Sequence, residues 1–234
     1  MAEPAGFLQQ IEGGLFGRLR RDAGADWAAY TQHEFVRALA RGTLPENDFR
    51  TFLTQDYLYL IHYARCYALA VFKSDTLPEM RAAARVMGHV LAEMPLHVEF
   101  CAQWGLSEAD MQAQPESLEL LAYSRFLVDR GVAGDVLDLL VSLSACSVGY
   151  GEVGARLLAD PETKIEGNPY LRWMQAYASD EYAAGAIEAM EALDRVWAAR
   201  GAEARYPMLL RDFRTAAQLE AAFWRAGQQR NFPV

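Results

Sequence analysis

Long, mainly apolar stretches of this chain are separated by polar residues, glycines and prolines. The residues at the ends of these stretches are typical of helix termini. In "GTLPENDFRTFLTQDYLYLIHYARCYALAVFKSD", Thr43 lies three residues before Glu46, which is the spacing of a capping box. Pro45 falls in the first turn, where its missing N–H costs nothing. The same signal recurs at "TLPE", residues 76–79. Two long helices are therefore predicted, and the second should run to about Gly105.

Further helices are predicted downstream, with one interruption inside the second long helix. Pro95 should kink or break that helix because proline removes an intrahelical hydrogen bond. The remaining helices are predicted over about 117–131, about 135–158 with small residues in its middle, from Asn168-Pro169 through Tyr177 with a bend or break near Gly185, and over about 204–227.

No β signal accompanies these helices. Alternating strand patterns and Asn-Gly or Asp-Gly hairpin turns are both missing, and the sequence shows no internal repeat or low-complexity linker. With the amphipathic N-terminal segments the count reaches seven or eight helices. The predicted fold is therefore all-α, a single-domain multi-helix bundle over residues 1–234.

Composition and charge fit an ordinary globular domain and narrow the partners. The chain has 234 residues, of which 52% are hydrophobic and 23% are charged. This composition is typical of a folded domain and argues against an intrinsically disordered chain. Acidic residues outnumber basic ones by 31 to 22, and no basic run is present to neutralise phosphates. We therefore expect no nucleic-acid partner.

The cellular setting is predicted from the N-terminus, the apolar stretches and the cysteines. The start "MAEPAGFLQQIEGG" lacks the charged and apolar regions of a secretory signal, and His62 and Arg65 interrupt the densest apolar stretch. Cys66, Cys101 and Cys146 are widely spaced and odd in number, which argues against disulfides and a structural zinc site. We expect a cytoplasmic protein with free thiols, no membrane-spanning segment and no membrane partner.

Several polar residues share helical faces within the apolar stretches. Asp56, Tyr59 and Tyr63 lie on one face, and Cys146 lies one turn before Tyr150. The two groups are candidates for a recognition surface and for a nucleophile with a phenol beside it. The alternative is structural: Asp56 pairs with a neighbouring helix, the tyrosines are core, and the thiol is an inert small hydrophobe.

Two further pairs lie near the C-terminus. Glu220 is four residues before Trp224 on an apolar helix, and Trp173 is four before Tyr177. Each pair has a structural alternative as well, an exposed helix carboxylate in the first case and core aromatics in the second.

Metal and phosphate chemistry lack their sequence signals. None of the four histidines follows a Glu or Asp by three residues, as a di-iron bundle would require, and Glu93 with His97 is the nearest approach. The chain also lacks a nucleophile-elbow motif and a glycine-rich phosphate loop. No metal site is expected.

Taken together, the segments resemble the TenA family, the thiaminase II or aminopyrimidine aminohydrolase group, which has a haem-oxygenase-like all-helical fold. The resemblance covers nearly the whole chain and is carried by "HEFVRALARGTLPENDFRTFLTQDYLYL", "EMPLHVEF", "CSVGYGEVG", "NPYLRWMQAYAS" and "EAAFW". It implies site residues at seven positions: a nucleophile at Cys146, a proton donor at Glu220, a pyrimidine-binding carboxylate at Asp56, and pocket tyrosines at Tyr59, Tyr123, Tyr150 and Tyr177. The departures are Ala145, Ser147 and Gly149, where relatives carry bulkier residues around the nucleophile.

The resemblance also implies an activity. The family replaces a leaving group on the C5 methylene of 4-amino-2-methylpyrimidine with hydroxide. Ammonia leaves from the 5-aminomethyl compound and thiazole leaves from thiamine. The implied roles place Tyr59 and Tyr177 on either side of the ring, and require burial to raise the pKa of Glu220 by about two. A small-molecule aminopyrimidine or thiamine as partner, no cofactor and a homotetramer are implied as well.

Two rival functions stay open at this point. One is a metal-dependent oxygenase or a quinone-cofactor biosynthesis oxidase of the same fold, which stoichiometric iron in the pure protein would favour. The other is a regulatory protein that binds a pyrimidine without turning it over. Binding alone would need neither a nucleophile such as Cys146 nor an acid such as Glu220.

Overall fold

The computed structural model describes residues 4–226, and all regular secondary structure in that range is helical. The all-α prediction is therefore confirmed. The α-helices are α1 (Pro4–Gln10), α2 (Gly14–Ala23), α3 (Ala25–Thr31), α4 (Glu34–Arg41), α5 (Glu46–Lys73), α6 (Leu77–Ala102), α7 (Glu108–Gln112), α8 (Leu118–Ala133), α9 (Val136–Ala159), α10 (Leu171–Tyr177), α11 (Asp180–Arg200) and α12 (Tyr206–Ala226). A 3₁₀ turn, Glu203–Arg205, precedes α12.

The described range holds twelve α-helices where seven or eight were predicted. Four short helices, α1 to α4, precede the first long one, and each ends at or near a glycine or polar residue after two turns or so. The short α7 was also not anticipated. A helix of five to ten residues has too few turns to show a clear 3.6-residue apolar period. Such helices are therefore not predicted separately from the sequence.

The two predicted capping boxes have different outcomes. The Thr76 side chain caps α6 by accepting from the backbone N–H of Glu79 at 3.3 Å, which is half of the predicted box. The Glu79 side chain accepts from the N–H of Asp75 at 3.1 Å and not from that of Thr76, so the reciprocal half is not formed. The prediction for Thr43 is wrong, because α5 begins at Glu46 with Pro45 as its N-cap residue and no side-chain cap. The Thr43 N–H instead bonds the Ala38 carbonyl at 3.0 Å, closing the end of α4. Thr43 therefore belongs to the turn between the two helices.

The predicted breaks also differ from the structure. α6 continues through Pro95, where Pro95 and Leu91 are both exposed, so water can satisfy the carbonyl that proline leaves without a partner. The break after Tyr177 occurs at residues 178–179 and not at Gly185, because the Ser179 hydroxyl accepts from the Tyr182 N–H at 3.1 Å and starts α11 there. Gly227, where the last helix was predicted to end, lies outside the described residues.

α9 runs through the middle of the bundle, with α1, α3, α5, α8, α10, α11 and α12 packed around it. It is long and apolar enough to cross a membrane by composition alone, contrary to the prediction that no segment is. In the fold, however, 89% of its most apolar window is buried inside the protein. The apolar sequence of α9 is thus accounted for by a position in the core.

Glycines on α9 let neighbouring helices approach it closely. A Cβ at Gly149 would lie 2.4 Å from Cε1 of Tyr30, and a Cβ at Gly154 would lie 2.7 Å from the backbone carbonyl carbon of Tyr177. Neither distance is possible for a real side chain, so α3 and α10 occupy space that only glycine leaves free. The small residues predicted for this helix therefore have a packing function.

A buried carboxylate fixes the same helix to the N-terminal helices. Glu152 is fully buried and accepts from Arg20 at 2.6 and 2.8 Å, from the Trp27 indole at 2.9 Å and from Arg156 at 2.7 Å. These charged donors outweigh burial and hold the pKa of Glu152 below its ordinary value. The ionised network anchors α9 to α2 and α3.

Candidate active site

A cavity of about 390 Å³ lies between α5, α6, α9, α10 and α11. Its size is that of a small-molecule site. Four of the seven predicted site residues line it: Asp56, Cys146, Tyr150 and Tyr177. The face predicted for Cys146 and Tyr150 is therefore a cavity wall, and the two side chains sit one turn apart on it.

The other three predicted residues lie in the core and not among the side chains that line the cavity. The Tyr123 hydroxyl donates to Glu220 Oε1 at 2.8 Å, and the Tyr59 ring stacks on the Tyr123 ring at 5.0 Å between centroids. Tyr59 also stacks on Tyr63 at 5.4 Å. Its ring is therefore packed against other tyrosines, and Tyr63 lines the cavity where Tyr59 was expected to.

The Cys146 thiol is 6% exposed and opens onto the cavity. Burial raises its pKa well above the ordinary range, and the charge that Glu220 carries once it is ionised, above about pH 8, adds to that effect. The Tyr59 hydroxyl acts in the opposite direction, although it makes no hydrogen bond of normal geometry. The thiol is therefore protonated at neutral pH, and any attack by it requires that its proton be moved.

Glu220 lies 1% exposed on α12, one turn before Trp224. Burial raises the pKa of its carboxyl group to about 8, and the charge of Asp56 contributes, while the hydrogen bond from Tyr123 opposes the rise. The predicted direction is confirmed, and the rise is larger than expected. Glu220 is consequently a neutral acid at pH 7, with a proton available for donation.

The position of Glu220 is set by aromatic packing around Trp224. The Trp224 indole donates to the backbone carbonyl of Tyr30 at 3.2 Å, and its ring stacks on Phe35 at 5.0 Å between centroids. These contacts join α12 to α3 and α4. The acid therefore sits on a helix whose rotation about its own axis is fixed by large buried rings.

Asp56 is held by a buried histidine that sequence analysis noted only as a poor metal-ligand candidate. Asp56 Oδ2 and His97 Nε2 are 2.7 Å apart, and both side chains are almost fully buried. Burial lowers the pKa of His97, but the hydrogen bond and charge of Asp56 outweigh it and the net pKa is raised. The pair orients Asp56, whose Oδ1 makes no hydrogen bond to any other residue of the described range 4–226.

Glu93 is a second residue that sequence analysis did not assign to the site. It lies one turn before His97 on α6 and lines the cavity, where its Oε1 accepts a short hydrogen bond from the Tyr177 hydroxyl. Burial raises the pKa of Glu93, and the positive charge of His97 opposes the rise. The one-turn spacing of Glu93 and His97 was a visible signal, but it reports a hydrogen-bonding wall of the cavity and not a metal pair.

Metal-ligating side chains do not converge in the part of the chain that the structure describes: residues 4–226 hold no group of three or more His, Cys, Asp or Glu placed to share an ion. A thiol, a neutral carboxylic acid behind it and an oriented carboxylate, among tyrosine rings, suit acid-assisted covalent catalysis on a small planar ring.

Known proteins resemble this chain over most of its length. Residues 21–231 match the model of the TENA/THI-4/PQQC family. A crystal structure described as a TenA family transcription regulator from Silicibacter sp. TM1040 superposes with a TM-score of 0.86 at 40% identity, covering 94% of this chain and 98% of that one.

Two named proteins are similar in sequence as well. The aminopyrimidine aminohydrolase of Halalkalibacterium halodurans is 32% identical over 201 residues, 85% of this chain and 88% of that protein. A protein of Schizosaccharomyces pombe named as a hydroxymethylpyrimidine/phosphomethylpyrimidine kinase is 35% identical over 198 residues, but the chain spans only 36% of its length. The similarity to the second protein is thus confined to one part of it.

Proposed function

Because the chain belongs to the TENA/THI-4/PQQC family, we propose that it is an aminopyrimidine aminohydrolase. This hydrolase would convert 4-amino-5-aminomethyl-2-methylpyrimidine and water into the 5-hydroxymethyl compound and ammonia, for thiamine salvage, with thiamine as a second substrate. The observation that carries the proposal is the cavity wall shared by Cys146 and Asp56, with the neutral acid Glu220 behind it.

Substrate binding would use the cavity's carboxylate and its aromatic side chains. Asp56, oriented by His97, would accept a hydrogen bond from the 4-amino group of the ring. Tyr150 and Tyr177, whose ring centroids are 5.1 Å apart, would contact the ring or its leaving group. This arrangement would place the C5 side of the pyrimidine next to Cys146.

The reaction would then proceed through a covalent intermediate. The Cys146 sulfur bonds to ring C6 while Glu220 protonates the ring nitrogen beside it, and the thiol proton replaces the one that Glu220 has given. The 4-amino nitrogen supplies the electron pair that expels ammonia from the methylene. Water adds to the exocyclic carbon, the carbon–sulfur bond breaks, and the ring regains its aromaticity as its nitrogen loses the added proton.

This scheme explains why a thiol of raised pKa and an acid of raised pKa are neighbours. At pH 7 both groups hold their protons, so the neutral thiol can add to the neutral ring: Glu220 protonates the ring nitrogen as the sulfur bonds to C6, and the thiol proton passes to Glu220, which leaves no buried charge. A carboxylate of ordinary pKa in place of Glu220 would be ionised and could not donate.

The test is a product assay with the aminomethylpyrimidine and thiamine side by side. We expect formation of the hydroxymethylpyrimidine, abolished in Cys146→Ser and retained in Cys66→Ser, a buried thiol outside the cavity. Binding of the pyrimidine without turnover would instead support a regulatory protein. Stoichiometric iron together with oxygen consumption would support the metal-dependent alternative.

The assembly and organisation implied by the resemblance belong to the same proposal. We propose a single-domain chain that forms a homotetramer in the cytoplasm. Light scattering coupled to size-exclusion chromatography would measure the mass of the assembly, and a monomeric mass would contradict the tetramer.

A further inference from the structure

The charged groups around the cavity are unequally distributed. Three carboxylate residues, Asp56, Glu93 and Glu181, are among the lining side chains of the described chain, whereas no Lys or Arg is. His89, exposed at the rim, is the one lining side chain that could carry a positive charge there. A cavity lined in this way favours cations and disfavours anions.

The three carboxylates are not equivalent. Asp56 is paired with His97, and Glu181 is exposed, so water and salt screen its charge. Glu93 is half-buried, and its direct hydrogen-bond partner is the neutral phenol of Tyr177. Its second oxygen, Oε2, makes no hydrogen bond or ion pair with the rest of residues 4–226. Glu93 is thus the carboxylate best placed to meet a charged group of a ligand.

Glu93 is also held firmly relative to the nucleophile. Tyr177, which binds Glu93, packs its backbone against Gly154 on α9, the helix that carries Cys146. The chain of contacts from Gly154 through Tyr177 to Glu93 leaves little freedom for the carboxylate to move away from the cavity. Its electrostatic effect is therefore preorganised.

We propose that Glu93 is a specificity-determining residue that selects pyrimidines with a positive charge at the C5 methylene and rejects their phosphate esters. This inference rests on the proposed function. An aminomethyl group is an alkyl amine and is mainly protonated at neutral pH, as a lysine side chain is. The hydroxymethyl product is neutral, so the same carboxylate would hold substrate more tightly than product and would favour product release.

The experiment measures binding without turnover, in a Cys146→Ser background, by isothermal titration. Its ligands are the aminomethylpyrimidine, the hydroxymethylpyrimidine and the phosphate ester of the latter. Glu93→Gln should lower the affinity for the aminomethyl compound by about tenfold or more and change the affinity for the hydroxymethyl compound by less than about threefold. The parent protein should bind the phosphate ester more weakly than the hydroxymethylpyrimidine. The difference between these two affinities should be smaller in Glu93→Gln.

Glu181→Gln is the matched control, because it removes an exposed carboxylate from the same cavity and should leave the ligand preference nearly unchanged. Equal weakening of the amine and the alcohol by Glu93→Gln would mean a merely structural role and would overturn the inference. So would unchanged affinity for the amine. If the variant does not fold, the parent supplies the measurement: between about 50 and 500 mM salt, amine affinity should fall while alcohol affinity stays constant.

The outcome separates this inference from the proposed function. If the protein turns over the aminomethylpyrimidine but shows no charge preference, the proposed function stands and the inference about Glu93 is refuted. A protein that binds none of the three pyrimidines loses both.

Discussion

Replacing Glu220 by glutamine should make the protein more stable at alkaline pH while it removes activity. In the folded chain the pKa of Glu220 is raised from its ordinary 4.5 to about 8 by burial. The unfolded chain ionises at the lower value, so the stability associated with the neutral form is complete below pH 4.5 and is lost as pH rises to about 8. Glutamine has similar shape and does not ionise, so the variant lacks this loss.

The magnitude follows from the interval between the two pKa values. Each pH unit between them costs ~1.4 kcal/mol of unfolding free energy, which gives roughly 5 kcal/mol over the whole range. The stability difference between Glu220→Gln and the wild type should therefore grow in favour of the variant between about pH 5 and pH 8 and level off above that. Other titrating groups are common to both proteins and largely cancel in the difference.

Urea unfolding of both proteins across this pH range measures the difference directly, and Glu181→Gln, which replaces an exposed carboxylate, is the matched control. Turnover of the aminomethylpyrimidine is measured on the same samples and should fall by far more than tenfold in Glu220→Gln. Parallel stability curves would show that Glu220 is ionised in the folded protein. A variant with more than about a tenth of wild-type turnover, a loss under ~1.4 kcal/mol, would mean that the acid lies elsewhere.

Three other substitutions test the remaining parts of the site. Cys146→Ser should fold normally, by circular dichroism and melting temperature, but turn over at least about a hundredfold more slowly, because a hydroxyl is a poorer nucleophile; near-normal rates would exclude the covalent route. Asp56→Asn should weaken binding of the hydroxymethylpyrimidine in titration calorimetry, since the amide leaves His97 with a poorer partner and offers a donor toward the 4-amino group; unchanged affinity would remove Asp56 from the site. Gly154→Ala should lower stability by about 1–3 kcal/mol in urea unfolding, because its Cβ would meet the Tyr177 backbone, and wild-type stability would show that α10 shifts freely.

Features of this structure that depend only on residues close together in sequence could be predicted, and features that depend on contacts between separate helices could not. Thr76 lies directly before its helix and its side chain caps it, and α8 begins close to position 117 as predicted, with the Ser117 side chain as its cap. Thr43 carries the same local signal, yet the turn after α4 takes its N–H, and that turn depends on where α4 ends. Capping residues are therefore predictable only where no neighbouring element competes for the same backbone groups.

The site shows the same limit for contacts between helices. Cys146 and Tyr150 share a face by simple spacing, and the structure places both at the cavity. The partnership of His97 with Asp56 joins two helices across 41 residues of sequence, and no spacing rule predicts it. The resemblance to a family likewise supplied positions such as Tyr123 and the direction in which the pKa of Glu220 is shifted, but not the hydrogen bond between Tyr123 and Glu220, which depends on how the bundle packs.

Because Gly149 and Tyr30 are in contact, these two positions, 119 residues apart, should change together in evolution. The ring of Tyr30 occupies the volume that a side chain at position 149 would need. Homologues with a bulkier residue beside the nucleophile should therefore carry a smaller one on α3, so that the two positions covary while neither touches the cavity. A graft of the active site from such a homologue would succeed only if both halves of the pair were transferred together.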